Sequence, residues 1–301
     1  MRPRDLATLL VLAALWGGSF LFIRVAAPAL GPLPLAAGRV VIAGVVLWAG
    51  LLAVGRRPAM RAHWRALVVL GGLNAAIPFS LIAAAELHLT ASLAAMLNAT
   101  VPLWAAAFGA IWLGERVNAR RAAGLLAGVA GVSVLVGWSP IALTTATVLS
   151  VLATLVATGC YALAGVWAKK RLAGVPGPTL ALGQQLGAAA WLVIPASVAL
   201  PDAQPTRPAI LALLVLALAC TSVAYLLYFQ LLAAVGPTKS TTVTYLLPVF
   251  GTAWGALFLD EPVTAGMLAG LLLVLGSVVL VNEVRWPVRR RVVVDARCSG
   301  D

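Results

Sequence analysis

Acidic residues are scarce. Nine Asp and Glu stand against 21 Lys and Arg in 301 residues, and charge of either sign makes up only 10% of the chain. Soluble domains carry about 25% charged residues, so a mostly water-exposed surface is excluded. The two histidines, His63 and His88, fall in no HExxH or comparable ligand spacing. Cys160, Cys220 and Cys298 have no paired spacing. The sequence therefore implies no disulfide framework, no metal and no cofactor. It also lacks the segments of about ten alternating apolar and polar residues that a membrane β-barrel requires, and it has no polar stretch long enough for a soluble domain.

What is present is apolar: 62% of residues are hydrophobic and the mean hydropathy is +1.02. Uncharged stretches of about 20 residues, enough to span a bilayer core, recur along the chain. The expected fold class is an all-α integral membrane protein with ten transmembrane helices, near residues 6–27, 34–54, 65–85, 89–113, 120–138, 146–168, 178–200, 208–232, 238–259 and 263–282. The first is long, and further spans follow it, so it reads as a membrane helix rather than a removed signal peptide.

All of the 21 Lys and Arg except Arg24, Arg39 and Arg207 lie at one alternating set of loops and termini. By the positive-inside rule this places both termini in the cytoplasm of a multi-pass cell (inner) membrane protein and demands an even number of spans. The net charge of +12 then reads as topology signal and contact with anionic lipid, with no nucleic-acid partner.

One stretch occurs twice. PLWAAAFGAIWLGERV begins at Pro102 and PVFGTAWGALFLDEPV at Pro248; the flanks GGLNAAIPF and LACTSVAYL, and GLLAGVAGVSVLV and GLLLVLGSVVLV, extend the match. The chain thus divides into five-helix halves at 1–143 and 144–284, with a cytoplasmic tail at 285–301. Five is odd, so the second half threads the membrane in the opposite sense. Glu115 is expected to end its helix on the cytoplasmic side and Glu261 on the outer side. Inverted repeats of this kind characterise secondary transporters, with the substrate site near the midplane between repeats.

The two five-helix halves, LWGGSF in the first helix, and the P-x12-E pattern ending the fourth and ninth helices resemble the drug/metabolite transporter superfamily, EamA-like branch, over residues 6–282. The resemblance implies a carrier working by alternating access. Such families export amino acids and other small metabolites, and some carry drugs or nucleotide sugars.

Polar side chains on apolar spans are costly when they face lipid, so they mark the candidate site. Trp16, Asn74, Asn98, Tyr161, Tyr225, Tyr245, Arg39 and Gln184 are the expected substrate-binding residues, with Pro102 and Pro248 as hinges. Trp16 lines up with Phe20 and Arg24, the latter expected to snorkel to the headgroups. Asn98 lies one turn before Pro102, where it either satisfies the carbonyl the proline frees or reaches substrate. Thr238, Thr241, Tyr245 and Thr252 form a polar stripe, while Thr154, Thr158, Tyr161, Thr221, Tyr225 and Tyr228 add hydroxyls and rings that suit a small organic solute. Arg39 either anchors its helix or points inward to hold a carboxylate or phosphate; its repeat mates are Gln184 and Gln185. No carboxylate lies mid-span, which favours facilitated movement over proton coupling. GLLAG and GMLAG have the small-residue spacing of close helix packing, within a monomer or at a homodimer face.

No intramembrane enzyme chemistry is evident: buried acid pairs and metal sets are lacking. The best reading is a secondary exporter of amino acids or similar small metabolites; the alternative is a flippase or efflux carrier for lipid-linked or drug-like molecules, which an aromatic lateral opening would favour.

Overall fold

A computed structural model describes residues 1–56, 58, 60–113, 118–240 and 242–281. Glu115, Arg116, Thr241 and the tail with Cys298 lie outside the described residues, as does the side chain of Thr238. Ten apolar helical segments run in order: α1 (Pro3–Leu30), α2 (Pro32–Ala53), α3 (Arg61–Ala85), α4 (Ala91–Trp112), α5 (Ala119–Gly137), α6 (Thr145–Arg171), α7 (Gly177–Asp202), α8 (Arg207–Val235), α9 (Val243–Leu259) and α10 (Ala265–Val281). Each matches an expected span to within a few residues. The turn between α1 and α2 is a single residue, Gly31, at φ 79°, a left-handed value that glycine adopts without a Cβ clash.

Packing follows a pseudo-twofold relation between helix n and helix n+5. α1 packs on α9 as α6 does on α4; α3 meets α6 as α8 meets α1; α3 lies on α7 as α8 lies on α2. The pairs α2–α7, α4–α9 and α5–α10 map onto themselves. Because each mate lies five spans along the chain from its partner, mates run antiparallel and the repeats are inverted. Contacts at helix ends agree with this alternation. At the end carrying most of the basic residues, Trp167 Nε1 of α6 donates to the Ala66 carbonyl of α3, and Lys170 Nζ donates to the Trp112 carbonyl of α4. At the opposite end, the Gln204 amide donates to the Ala29 carbonyl and the Thr264 hydroxyl to the Trp138 carbonyl. Trp48, Trp64, Trp112 and Trp138 are exposed near helix ends, where an aromatic belt meets headgroups.

Without a hydrophobic force between helices in lipid, close backbone approach drives association. The glycines of α5 and α10 serve each other: Gly124 and Gly131 face Val281 and Val274, while Gly270 faces the backbone of Leu135. The tightest approach is α3 on α7, where a Cβ on Gly71 would sit 2.3 Å from Ala188 N and one on Gly187 would sit 2.6 Å from the Leu67 carbonyl oxygen.

Both repeats interrupt the same helix with a π-helical turn, at Gly72–Ala76 in α3 and Leu218–Val223 in α8. These are the stretches GGLNAAIPF and LACTSVAYL, which the duplication brings into register. In α8 two side chains donate back to carbonyls of the turn, Thr221 Oγ1 to Leu216 O (2.7 Å) and Ser222 Oγ to Ala217 O (2.8 Å). α4 also breaks, between Asn98 and Val101, one residue before Pro102. Pro248, its mate, instead sits inside the continuous α9.

Substituting Gly71 with Ala places a methyl group against backbone that has no side chain to yield. The expected cost is about 1–3 kcal/mol, read as a lower apparent Tm of the purified protein in detergent relative to an exposed control such as Gly50→Ala.

Candidate functional site

The two π turns aim Asn74 and Thr221 at the opposite repeat. Arg39 Nε of α2 donates to Thr221 Oγ1 of α8 at 2.8 Å, and Asn74 Nδ2 of α3 donates to Gln184 Oε1 of α7 at 2.8 Å. Under the helix n to n+5 relation these are the same bond made twice, α2 to α8 and α7 to α3. One copy is cationic and the other neutral.

Arg39 is 5% exposed and does not snorkel. Its guanidinium lies 3.9 Å above the Phe79 ring centroid, and Nη2 reaches Ser19 Oγ of α1 at 3.5 Å. Stacking on an aromatic face stabilises a desolvated cation by about 2 kcal/mol, and among the described residues no carboxylate forms an ion pair with it. A buried guanidinium has five N–H donors, so this one retains capacity for an anion.

Polar atoms on α4 and α7 have no partner among the described residues. Gln184 Nε2, both amide atoms of Gln185, and Asn98 Oδ1 are buried without a hydrogen-bond partner, in a class of atoms of which more than 90% are normally paired. Beside the break before Pro102, the Thr100 hydroxyl donates to the Leu97 carbonyl (2.8 Å), with Thr158 Oγ1 of α6 3.0 Å away. Neither Thr100, Ser19 nor Phe79 was singled out by the sequence; the polar-versus-apolar contrast that marks Arg39 is absent at a Ser or Phe.

Aromatic residues wall this centre. Trp16 meets Tyr225 edge-on with centroids 5.9 Å apart and Tyr228 at 5.4 Å. The Tyr225 hydroxyl accepts from Asn74 Nδ2 at 3.3 Å, tying the aromatic cluster to the amide bridge. Tyr161 packs with Trp16 onto the core built by Phe20, Ala157 and Leu247. Six of the eight expected binding residues (Trp16, Arg39, Asn74, Tyr161, Gln184 and Tyr225) thus share this core or its polar bridges. Tyr245 is placed elsewhere, against Leu103, Val278 and Val281.

A second polar cluster lies at the end of the bundle away from the basic residues. Asp260 takes the left-handed conformation, φ 51°, which Asp tolerates better than most residues. This reversal turns the Glu261 carboxylate onto the start of α4, where it accepts from Ala91 N and Ser92 N at 2.8 Å each. Thr90 caps the next amide, Leu93 N, at 3.2 Å. A carboxylate at a helix N-terminus satisfies orphan amides and meets the positive end of the helix dipole. Arg24 donates to the main-chain carbonyl of Glu86, correcting the expectation that it snorkels.

The residues now in place match known sequences. The profile of the EamA-like transporter family matches residues 6–137 and again 148–283. This chain belongs to the EamA-like transporter family. It is similar to the uncharacterized transporter YvbV of Bacillus subtilis (strain 168), 27% identical over 93% of this chain and 92% of that one. The protein PecM of Dickeya dadantii (strain 3937) is 26% identical over 92% and 91%. A probable amino-acid metabolite efflux pump of Escherichia coli (strain K12) is 27% identical over 95% and 97%. A solved crystal structure with 21% sequence identity has a TM-score of 0.65, covering 93% of this chain and 96% of the other, which shows the shared fold.

Replacing Glu261 with Ala leaves the Ala91 and Ser92 amides without their acceptor. An orphaned buried donor costs about 1–3 kcal/mol, so Glu261→Ala is expected to lower the Tm markedly, with Glu261→Gln intermediate, in a thermal-unfolding series.

Proposed function

We propose that this EamA-family membrane transporter exports amino acids or similar small metabolites across the cell (inner) membrane, by alternating access between its two inverted repeats, with both termini in the cytoplasm. The observation that carries the reading is the pair of repeat-equivalent bridges at the π turns, one holding a buried guanidinium with spare donors and the other carrying the unsatisfied Gln184 Nε2, with the unsatisfied Gln185 amide next to it on α7. Donors outnumber acceptors there, which suits a carboxylate. Arg39 and Gln184 would take the carboxylate, Asn98 Oδ1 a positively charged or N–H group, and Trp16, Tyr161 and Tyr225 the apolar body of the solute. The name of the Escherichia coli relative points to the same class of cargo. Pro102 and the break before it would absorb the backbone change as the repeats exchange states, with Pro248 as its counterpart in α9.

A second reading, efflux of lipid-linked or drug-like molecules, is favoured by one feature. A groove of about 560 Å³ lies between α1, α8 and α9, lined by Phe22, Leu211, Val215, Trp254 and Phe258, with Cys220 among its walls. Leu211 and Phe258 are exposed, so the groove lies on the lipid-facing side, and Cys220 directly precedes Thr221 of the polar bridge.

Proteoliposomes exposed to pooled labelled amino acids and organic acids, with a fluorescent phospholipid as competitor cargo, separate the readings. Arg39→Gln is expected to weaken apparent affinity for carboxylate solutes by roughly tenfold, the equivalent of about 1.4 kcal/mol, while membrane abundance stays near wild type. Trp16→Ala and Asn98→Ala are expected to lower flux. Unchanged flux in all three variants refutes the assigned site, and translocation of the phospholipid alone supports the second reading.

A further inference from the structure

Glu86 is the charged side chain for which the transport reading has no use. It directly follows α3, is 0% exposed, and neither of its carboxylate oxygens has a hydrogen-bond partner among the described residues. Arg24 lies beside it but spends a guanidinium N–H on the main-chain carbonyl of the same residue. The charged groups that act on the carboxyl are Glu261 from the loop after α9, Arg24 from α1 and Arg39 from α2; His88, two residues on, is exposed. An ionised carboxylate without hydrogen bonds is among the most expensive groups to bury, whereas the neutral acid costs far less. Burial first, and then the like charge of Glu261, hold the Glu86 carboxyl well above the usual carboxylate range, with the two arginines opposing.

The position gives this acid leverage. Beginning five residues after it, Glu261 clamps the start of α4 through Ala91 N and Ser92 N. That clamp joins the ninth helix to the fourth, the self-paired helices of the inverted repeat, and must loosen if this end of the bundle is to open. We propose that Glu86 is a proton-binding site, and that proton uptake there accompanies closure of the Glu261 clamp on α4. Its place in a transport cycle rests on the reading above; the site itself does not. One solvent proton adds to a carboxylate oxygen of Glu86 as the clamp closes and water leaves. No other bond forms or breaks, and the proton returns to solvent when the end opens.

The sign follows from linkage. In the closed state Glu86 holds its proton tightly; once wetted, it returns toward an ordinary carboxylate. Closure is therefore unpenalised below the ordinary carboxylate range, grows less favourable as pH rises above it, and carries the full penalty above the raised closed-state value. Reciprocally, anything that closes the clamp draws in a proton. A carrier with no carboxylate in mid-span would in this way respond to a proton gradient from the end of the bundle.

Two measurements on the full-length protein in lipid nanodiscs test the proposal, with protons as the only ligand. In infrared spectra at neutral pH, the wild type is expected to show the C=O stretch of a protonated carboxylic acid that disappears on raising the pH and is missing in Glu86→Gln. In a background with the native cysteines replaced by Ala, Ser92→Cys is expected to react with a membrane-impermeant thiol reagent faster as pH rises. The gain reaches at most about tenfold per pH unit, the limit for one linked proton. Adding Glu86→Gln is expected to remove that dependence beyond the reagent's own thiolate titration, set by free cysteine. A band unchanged in Glu86→Gln, a wild type with no such band, or labelling that keeps its full pH response without Glu86 each overturns the proposal. Neither measurement moves a solute: flux with no Glu86 band sinks the proton site alone, and a Glu86 band without flux leaves the site and sinks the transport reading.

Discussion

The hydrocarbon core of a bilayer offers no hydrogen bonds, so every backbone group that leaves the α-helical ladder must be satisfied from inside the chain. This protein leaves the ladder at two π turns and at the break in α4, and side chains patch several of these places. Thr221 and Ser222 donate to carbonyls at the π turn of α8, and Thr100 donates to the Leu97 carbonyl at the break in α4. Glu261 and Thr90 supply the first amides of that same helix. The patched residues are also the ones that reach across the repeat interface. Thr221 donates to its own helix and accepts from Arg39, so one hydroxyl both repairs the α8 ladder and ties α8 to α2.

Much of this was legible in sequence, for physical reasons. Hydropathy is a property of whole spans, so ten helices emerged with nearly correct ends. Duplication is a property of aligned residues, so GGLNAAIPF and LACTSVAYL marked a homologous stretch before either was known to contain a π turn. The turn itself leaves no hydropathy signal: one extra residue in a helical ring alters hydrogen bonding, not the apolar content of the segment. Arg39 stood out as a charge within a span, but its direction depended on Phe79, Thr221 and Ser19 from three other helices. Glu86 stands just past the end of its span, where nothing local in the sequence hides it; its burial arises from tertiary packing at the end of the bundle. Small residues gave the reverse case, since the spacing of GLLAG and GMLAG was clear and its use in α5–α10 packing followed once both helices were placed side by side.

The symmetry between repeats is architectural, and the chemistry breaks it. The same cross-repeat bond is cationic at Arg39–Thr221 and neutral at Gln184–Asn74. The same proline follows a broken helix in α4 and lies within an intact one in α9. In a machine whose two halves were identical, the two ways of opening would have equal energy and a bound solute would have no preferred orientation. If the proposed site binds an asymmetric solute, a buried guanidinium on one side of the pseudo-axis and amides on the other would give it a head and a tail direction, through differential interaction rather than shape alone.

Asymmetry of charge also bears on which conformation is stable. A buried cation without a carboxylate partner raises the energy of the empty site, and an anionic group entering that site relieves part of this cost. The relief is largest where water is excluded, because electrostatic attraction strengthens as the effective dielectric falls. Under the proposed function, binding would favour the closed arrangement over either open one, a property a carrier needs if it is to pass its cargo from one side to the other without leaving a continuous aqueous path. On the same terms, a salt bridge between the acid at the end of the bundle and the guanidinium in the centre would neutralise the site in every state and leave such a solute nothing to complete.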